Sequence, residues 1–227
     1  MHEKDTKSMA ARQPPFALTD PEIANIERRI STERLVPYLQ TANQDRRYAL
    51  QLYQWNTAVS ASLYGLLQGF EIVLRNTFHE LLSNGFGRAD WYHIAPFDAE
   101  GHRNIADAQE RLQRDNKAPT PGGIVAELNF GFWVSLVRSR YAQTFWDRHL
   151  HKSFLAPPKR DTFYHALERI RKLRNRVAHH EIIIGRNLMD DYSTIYLYLN
   201  GICPVTAKWI KSESTFVATL KARPINR

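Results

Sequence analysis

Apolar residues recur every three or four positions along most of this chain, the period of an amphipathic helix rather than the alternation of a strand. The longest stretch covers 56–83, where Val59, Leu63, Leu66, Leu67, Phe70, Val73, Leu74, Phe78, Leu81 and Leu82 form one wide stripe. Asn84-Gly85 is a stop signal, and the pattern predicts that this helix ends there. Upstream, Thr19-Asp20-Pro21-Glu22 reads as a helix start: a capping side chain, a proline in the first turn and acids against the dipole. The residues before it, 1–18, are polar, carry Pro14 and Pro15 and show no periodicity, so they are expected to form a disordered N-terminal tail.

Two prolines and two glycines within 117–123 make the strongest break in the chain. It either separates two subdomains or joins two helices, the second being the plainer reading. An aromatic-rich helix is predicted over 130–149, a loop at Ala156-Pro157-Pro158, and a basic helix over 160–181. Further helices over about 187–200 and 204–221 meet at Pro204. With no internal repeat and no β-branched alternation between hairpin turns, the fold class is all-α, a multi-helix bundle forming one domain over 19–227.

Composition changes this picture in one respect. Of 227 residues, 43% are hydrophobic and 24% charged, which is ordinary for a globular chain. The formal net charge, however, is +8 and the pI about 9.7. That balance favours polyanionic partners, nucleic acid above all, and says nothing about fold. A single cysteine, Cys203, forms no intrachain disulfide. No apolar run follows the N-terminus as in a secretory signal, and the apolar segment 192–205 is too short to span a bilayer. A cytoplasmic protein without a membrane partner is the default expectation.

The candidate chemistry lies in 160–181. Phe163, Leu167, Ile170, Leu173 and Val177 supply the buried stripe of one helix, and five of the eight positions 169–176 are basic. A solvated basic face near a helix C-terminus accounts for much of this. It accounts poorly for Arg174-Asn175 followed by His179-His180, because asparagine is a weak helix former and paired histidines add nothing to helix stability. Asn175 and His179 are i and i+4, on one face. Arg174 lies about 140° round the axis from His179, within swing of the same place. A guanidinium fork binds two phosphate oxygens at once, and an imidazole exchanges protons near neutral pH. The spacing alone is weak: Arg88 with His93 and Arg160 with His165 repeat it. Only Arg174 has an asparagine behind it and a long helical context.

The run Leu173-Arg174-Asn175-Arg176-Val177-Ala178-His179-His180-Glu181 resembles the RNxxxH signature of the HEPN superfamily of helical nucleases. The segments Leu52-Tyr53-Gln54-Trp55-Asn56, Glu71-Ile72-Val73-Leu74-Arg75-Asn76 and Leu128-Asn129-Phe130-Gly131-Phe132-Trp133 resemble, in order, one branch of it, the Abi-like proteins of bacterial abortive infection. The resemblance covers roughly 30–211. It implies a HEPN-like helical core and metal-independent RNA cleavage, without a cofactor, with Arg174 and His179 as the catalytic pair and Asn175 orienting them. It also implies a homodimer with two motifs facing one cleft, and a place in antiphage defence as a ribonuclease toxin, with an antitoxin or regulatory partner conceivable. The basic neighbours Arg171, Lys172 and Arg176 are then RNA-binding.

Glu71 and Arg75 form an i,i+4 pair, read either as a surface ion pair or as support that holds Arg174 or His179. His180 competes with His179, whose register with Asn175 favours it. Glu181 after two histidines lacks a further histidine at metalloprotease spacing and is not read as a metal ligand. Trp55, Trp91, Trp133, Trp146 and Trp209 are expected to fill the core, and Phe130-Gly131-Phe132-Trp133 to form a tight packing corner. Gly122-Gly123 lacks the Lys-Ser/Thr of a phosphate loop, and Cys203 has no paired histidine nearby. Two functions stay open: an RNA endonuclease, and a noncatalytic module that binds RNA or a protein. A structural scaffold would leave the charge and the motif unexplained.

Overall fold

The computed structural model describes residues 18–226, and the expected N-terminal tail, apart from Leu18, lies outside them. The only regular elements among the described residues are helices, with no strand, so the all-α class holds. The described residues divide into two compact units, 18–54 with 224–226, and 55–223. Neither boundary falls at 117–123.

In the first unit, α1 (Asp20–Ile30) opens as its sequence requires. The Glu22 carboxylate accepts hydrogen bonds from the backbone N–H and the hydroxyl of Thr19, both at 2.7 Å. These bonds hold its pKa below the ordinary carboxylate value. After Ser31, α2 (Thr32–Thr41) follows. Glu27 holds Arg46 at 2.5 Å, and Tyr38 packs edge-on against Tyr53 with its phenol pushed by burial up to about 12.

The helix α3 (Arg46–Phe86) begins in the first unit and supplies the spine of the second. Its stripe is buried as the periodicity requires: Val59, Leu63, Phe70, Leu74, Phe78 and Leu82 are fully enclosed. By length and apolar composition it could cross a bilayer; here those side chains lie in a protein core. Asn84-Gly85 does not end it. The stop is Gly87, whose φ of 73° is a left-handed conformation open to glycine, with Arg88 N–H bonded back to the Ser83 carbonyl. Gly85 serves another need: a Cβ there would lie 2.2 Å from the His149 ring.

α4 (Ala99–Arg114) and α5 (Pro121–Glu127) pack on one another across the break. The prolines and glycines of 117–123 therefore start a helix as well as ending one. Thr120 Oγ1 caps α5 by accepting from Gly123 N–H, and Pro121 fills the first turn, where no N–H is needed. The predicted helix over 130–149 is broken. Only α6 (Phe130–Ser135) is α-helical, followed by short 3-10 and π turns. Phe130, Phe132, Trp133, Val134, Leu136 and Val137 are all buried, so 130–137 has no solvent face to sustain a stripe; exposed residues return only from Ser139 on.

Next come α7 (Arg160–Ala178), α8 (Leu188–Ile202), α9 (Pro204–Ser212) and α10 (Phe216–Lys221). α6 and α8 pack on α7, and α9 packs on α8. The expected helix over 204–221 is thus two pieces, parted at 213–215. Four of the five tryptophans are buried, but Trp209 is 69% exposed.

Candidate active site around Arg174

The α7 stripe is as the spacing requires, with Phe163, Leu167, Ile170, Leu173 and Val177 all buried. The helix stops three residues before Glu181, however, and the motif straddles its end. His179 is the C-cap at φ −95°, and His180 sits at φ 56°, in the left-handed region. The Glu181 N–H reaches the Arg176 carbonyl at 2.8 Å and the His180 N–H the Val177 carbonyl at 3.2 Å. This is a Schellman end, with histidine where glycine is usual; histidine is among the residues that tolerate that conformation. His180 therefore has a backbone reason to be there.

The turn beyond the motif is clamped at both ends. On α3, buried Asn56 accepts from Ile183 N–H at 2.8 Å through Oδ1 and donates Nδ2 to the Glu181 carbonyl at 3.4 Å. At the other end lies Asp191, 3% exposed. Its carboxylate takes Arg169 Nε at 2.6 Å and Arg186 Nε and Nη2 at 2.8 and 3.0 Å. Burial opposes the Arg169 charge, yet the bond to Asp191 carries its pKa above the ordinary value.

Arg174 Nε donates to Glu71 Oε2 at 3.0 Å, across from α7 to α3. Of the two readings of Glu71, the contact matches support for Arg174, and Arg75 Nε donates to Asn76 Oδ1 at 3.1 Å. Both side chains are partly exposed, 38% and 21%, so the pair contributes at most about 1 kcal/mol and matters mainly for aim. Arg174, Glu71 and Arg75 share a cavity of about 240 Å3 with Tyr64, Leu67, Gln68, Ile72, Val177 and Ala178.

Asn175 and His179 are not among the residues lining that cavity. α7 ends at Ala178, so His179 is exposed on the following turn, while Asn175 is half-buried on the helix. Arg171 is bound by Glu168 at 2.8 Å, which raises its pKa. Arg176 reaches the Ile182 carbonyl at 3.3 Å and Glu181 at 3.7 Å. Lys172 is exposed to solvent. Among the described residues no group of three His, Cys, Asp or Glu side chains is placed to hold a metal.

Neither clamp is marked by a motif in the sequence. Asn56 gave a signal, since Leu52, Asn56, Val59 and Leu63 share one helical face and put an amide on a buried stripe. Asp191 and Arg186 gave none, because nothing in the local pattern marks either as buried. Fold and site thus define an all-helical protein with a carboxylate-held arginine in an open cavity. Searches of protein-family models, curated proteins and solved structures find no match to this chain.

Proposed function

We propose that the protein is a metal-independent RNA endonuclease of the HEPN type, an Abi-like toxin acting in antiphage defence. The observation that carries this reading is Arg174: Glu71 fixes its Nε, and the residue lines a cavity shared with a second arginine, Arg75. Two guanidiniums suit a phosphodiester and the trigonal-bipyramidal transition state of its cleavage. The ribose 2′-OH attacks the adjoining phosphorus, giving up its proton to an imidazole as the P–O5′ bond breaks. A second imidazole returns a proton to the departing 5′ oxygen. The products are a 2′,3′-cyclic phosphate and a 5′-OH.

His179 supplies the imidazole and Arg174 stabilises phosphorane charge. Asn175, on the His179 face of α7, orients it. Because His179 lies off the Arg174 cavity of its own chain, a homodimer with facing α7 ends is the arrangement that completes the centre. Arg174→Ala and His179→Ala are each expected to lower cleavage of total cellular RNA a hundredfold or more, about the reach of one general acid–base group. Unchanged rates in both would refute the assignment.

The same geometry favours a second reading, a noncatalytic RNA-binding or protein-binding module, since Arg174 and His179 do not share a cavity within one chain. That reading predicts RNA binding, weakened by Arg174→Ala, with no cleavage at any protein concentration.

A further inference from the structure

A second cavity, of about 520 Å3, opens on the other side of the same α3 face. Gln68 and Ile72 line both cavities, so one strip of α3 leads from the guanidiniums of the first into the second. Its walls are aromatic and aliphatic: Tyr192, Tyr196, Trp209 and Ile210 face Ile72 and Val73. Three rings stack near-parallel along α8 and α10. Phe216 lies 4.5 Å from Tyr192 at 12°, and Tyr192 lies 6.5 Å from Tyr196 at 13°. Lys211 Nζ stands 4.7 Å over the Tyr196 ring. Trp209, the tryptophan left exposed, belongs to this wall.

Two glycines of α3 shape the cavity. Gly69 seats α9, because a Cβ there would lie 2.2 Å from Ile210 Cδ1. Gly65 does the opposite: a Cβ there would meet nothing within 4 Å, so its missing side chain is open room. Mid-helix glycine is unfavourable by about 0.5–1 kcal/mol relative to alanine, so neither position is explained by helix formation.

We propose that this cavity is a nucleobase subsite, taking one base of the RNA strand whose phosphate lies against Arg174 and Arg75. The proposal rests on the RNA-cleaving reading above and names how that site would hold its substrate. A nucleobase is a flat π-system with a polar edge. Tyr196 and Trp209 offer the apolar wall, Gln68 offers a donor and an acceptor at the passage between cavities, and Lys211 faces the strand's charge.

The test is calorimetric titration with the four nucleoside 3′-monophosphates, and with ribose 5-phosphate as the base-free control. At least one nucleotide is expected to bind the parent more tightly than ribose 5-phosphate. Gly65→Leu, whose Cβ meets no protein atom within 4 Å, is expected to weaken that binding tenfold or more while melting close to the parent. Trp209→Ala, at an exposed position, is expected to weaken it about tenfold, the loss of one stacking partner. Equal binding of nucleotide and ribose 5-phosphate would overturn the proposal, as would unchanged nucleotide affinity in both variants, or no nucleotide binding up to millimolar concentration. Conversion of a dimer to a monomer by Trp209→Ala, with nucleotide binding intact, would also overturn it and make this face a protein interface. Nucleotide binding lost in Gly65→Leu, without RNA cleavage by the parent, would sustain the subsite and remove the nuclease reading. RNA cleavage unaffected by Gly65→Leu would do the reverse.

Discussion

Arg174 and His179 leave the same helix in different circumstances, one braced by a carboxylate on α3 and the other exposed on a Schellman turn. If Glu71 aims Arg174, then Glu71→Ala should lower RNA cleavage about tenfold or more, the loss of one charge-assisted hydrogen bond. Glu71→Gln, which keeps an acceptor beside Nε, should retain most of the rate. Initial-rate measurements on one RNA substrate separate the two, and equal losses would mean that charge rather than aim is at work. His180 is a backbone residue first. At φ 56° asparagine fits, and a β-branched side chain does not. Thermal denaturation should place His180→Asn close to the parent and His180→Val lower by about 1 kcal/mol or more. A His180→Asn variant that folds but does not cleave would move the proton-transfer role to His180.

The elements that were legible in the sequence are those whose periodicity decides one face. The α7 stripe is buried at every position and the α3 stripe at all but Val73 and Leu81, which are half-buried; the start of α1 follows from its capping residues. What was not legible is where helices end and where a segment has no face. Asn84-Gly85 reads as a stop, but Gly85 answers to the His149 ring, a partner far along the chain, and the turn waits for Gly87. In 130–149 the apolar residues point every way into the core, so periodicity cannot tell α6 from the irregular turns after it. Site support shows the same limit: Glu71 was readable as a brace, whereas Asp191 acts through contacts no local spacing reveals. Asn56→Ala strips the buried Ile183 N–H and the Glu181 carbonyl of their partner, and should lower stability by about 1–3 kcal/mol in denaturant titration. It should slow cleavage as well, because the His179 turn is fixed through 181–183. A stability loss with the rate intact would show that the clamp does not position the turn.

Across the molecule, acid should act first on histidines that the fold keeps neutral. His79 accepts from the Trp91 indole N–H at 3.0 Å, and burial lowers its pKa below 6.5. A lowered histidine pKa means that the unfolded chain binds the proton more readily. Its contribution is therefore fully present above about 6.5 and is lost as pH falls through the lower, folded-state value. The thermal midpoint should drop across that window, and less so in His79→Gln, which keeps an acceptor for the indole. The +8 charge acts over longer range: RNA affinity should fall steeply as salt rises, since phosphate contacts release counterions. Cleavage should follow a bell-shaped pH profile, with one imidazole free and one protonated in the assembled dimer.

The central claim, that an arginine–histidine pair cuts RNA through the strand's own 2′-OH, is tested most directly by the ends of the products. Purified protein incubated with RNA in excess EDTA should yield fragments ending in 2′,3′-cyclic phosphate and beginning with 5′-OH, and Arg174→Ala and His179→Ala should yield none. Fragments bearing 3′-OH and 5′-phosphate, or cleavage abolished by EDTA and restored by magnesium, would contradict it.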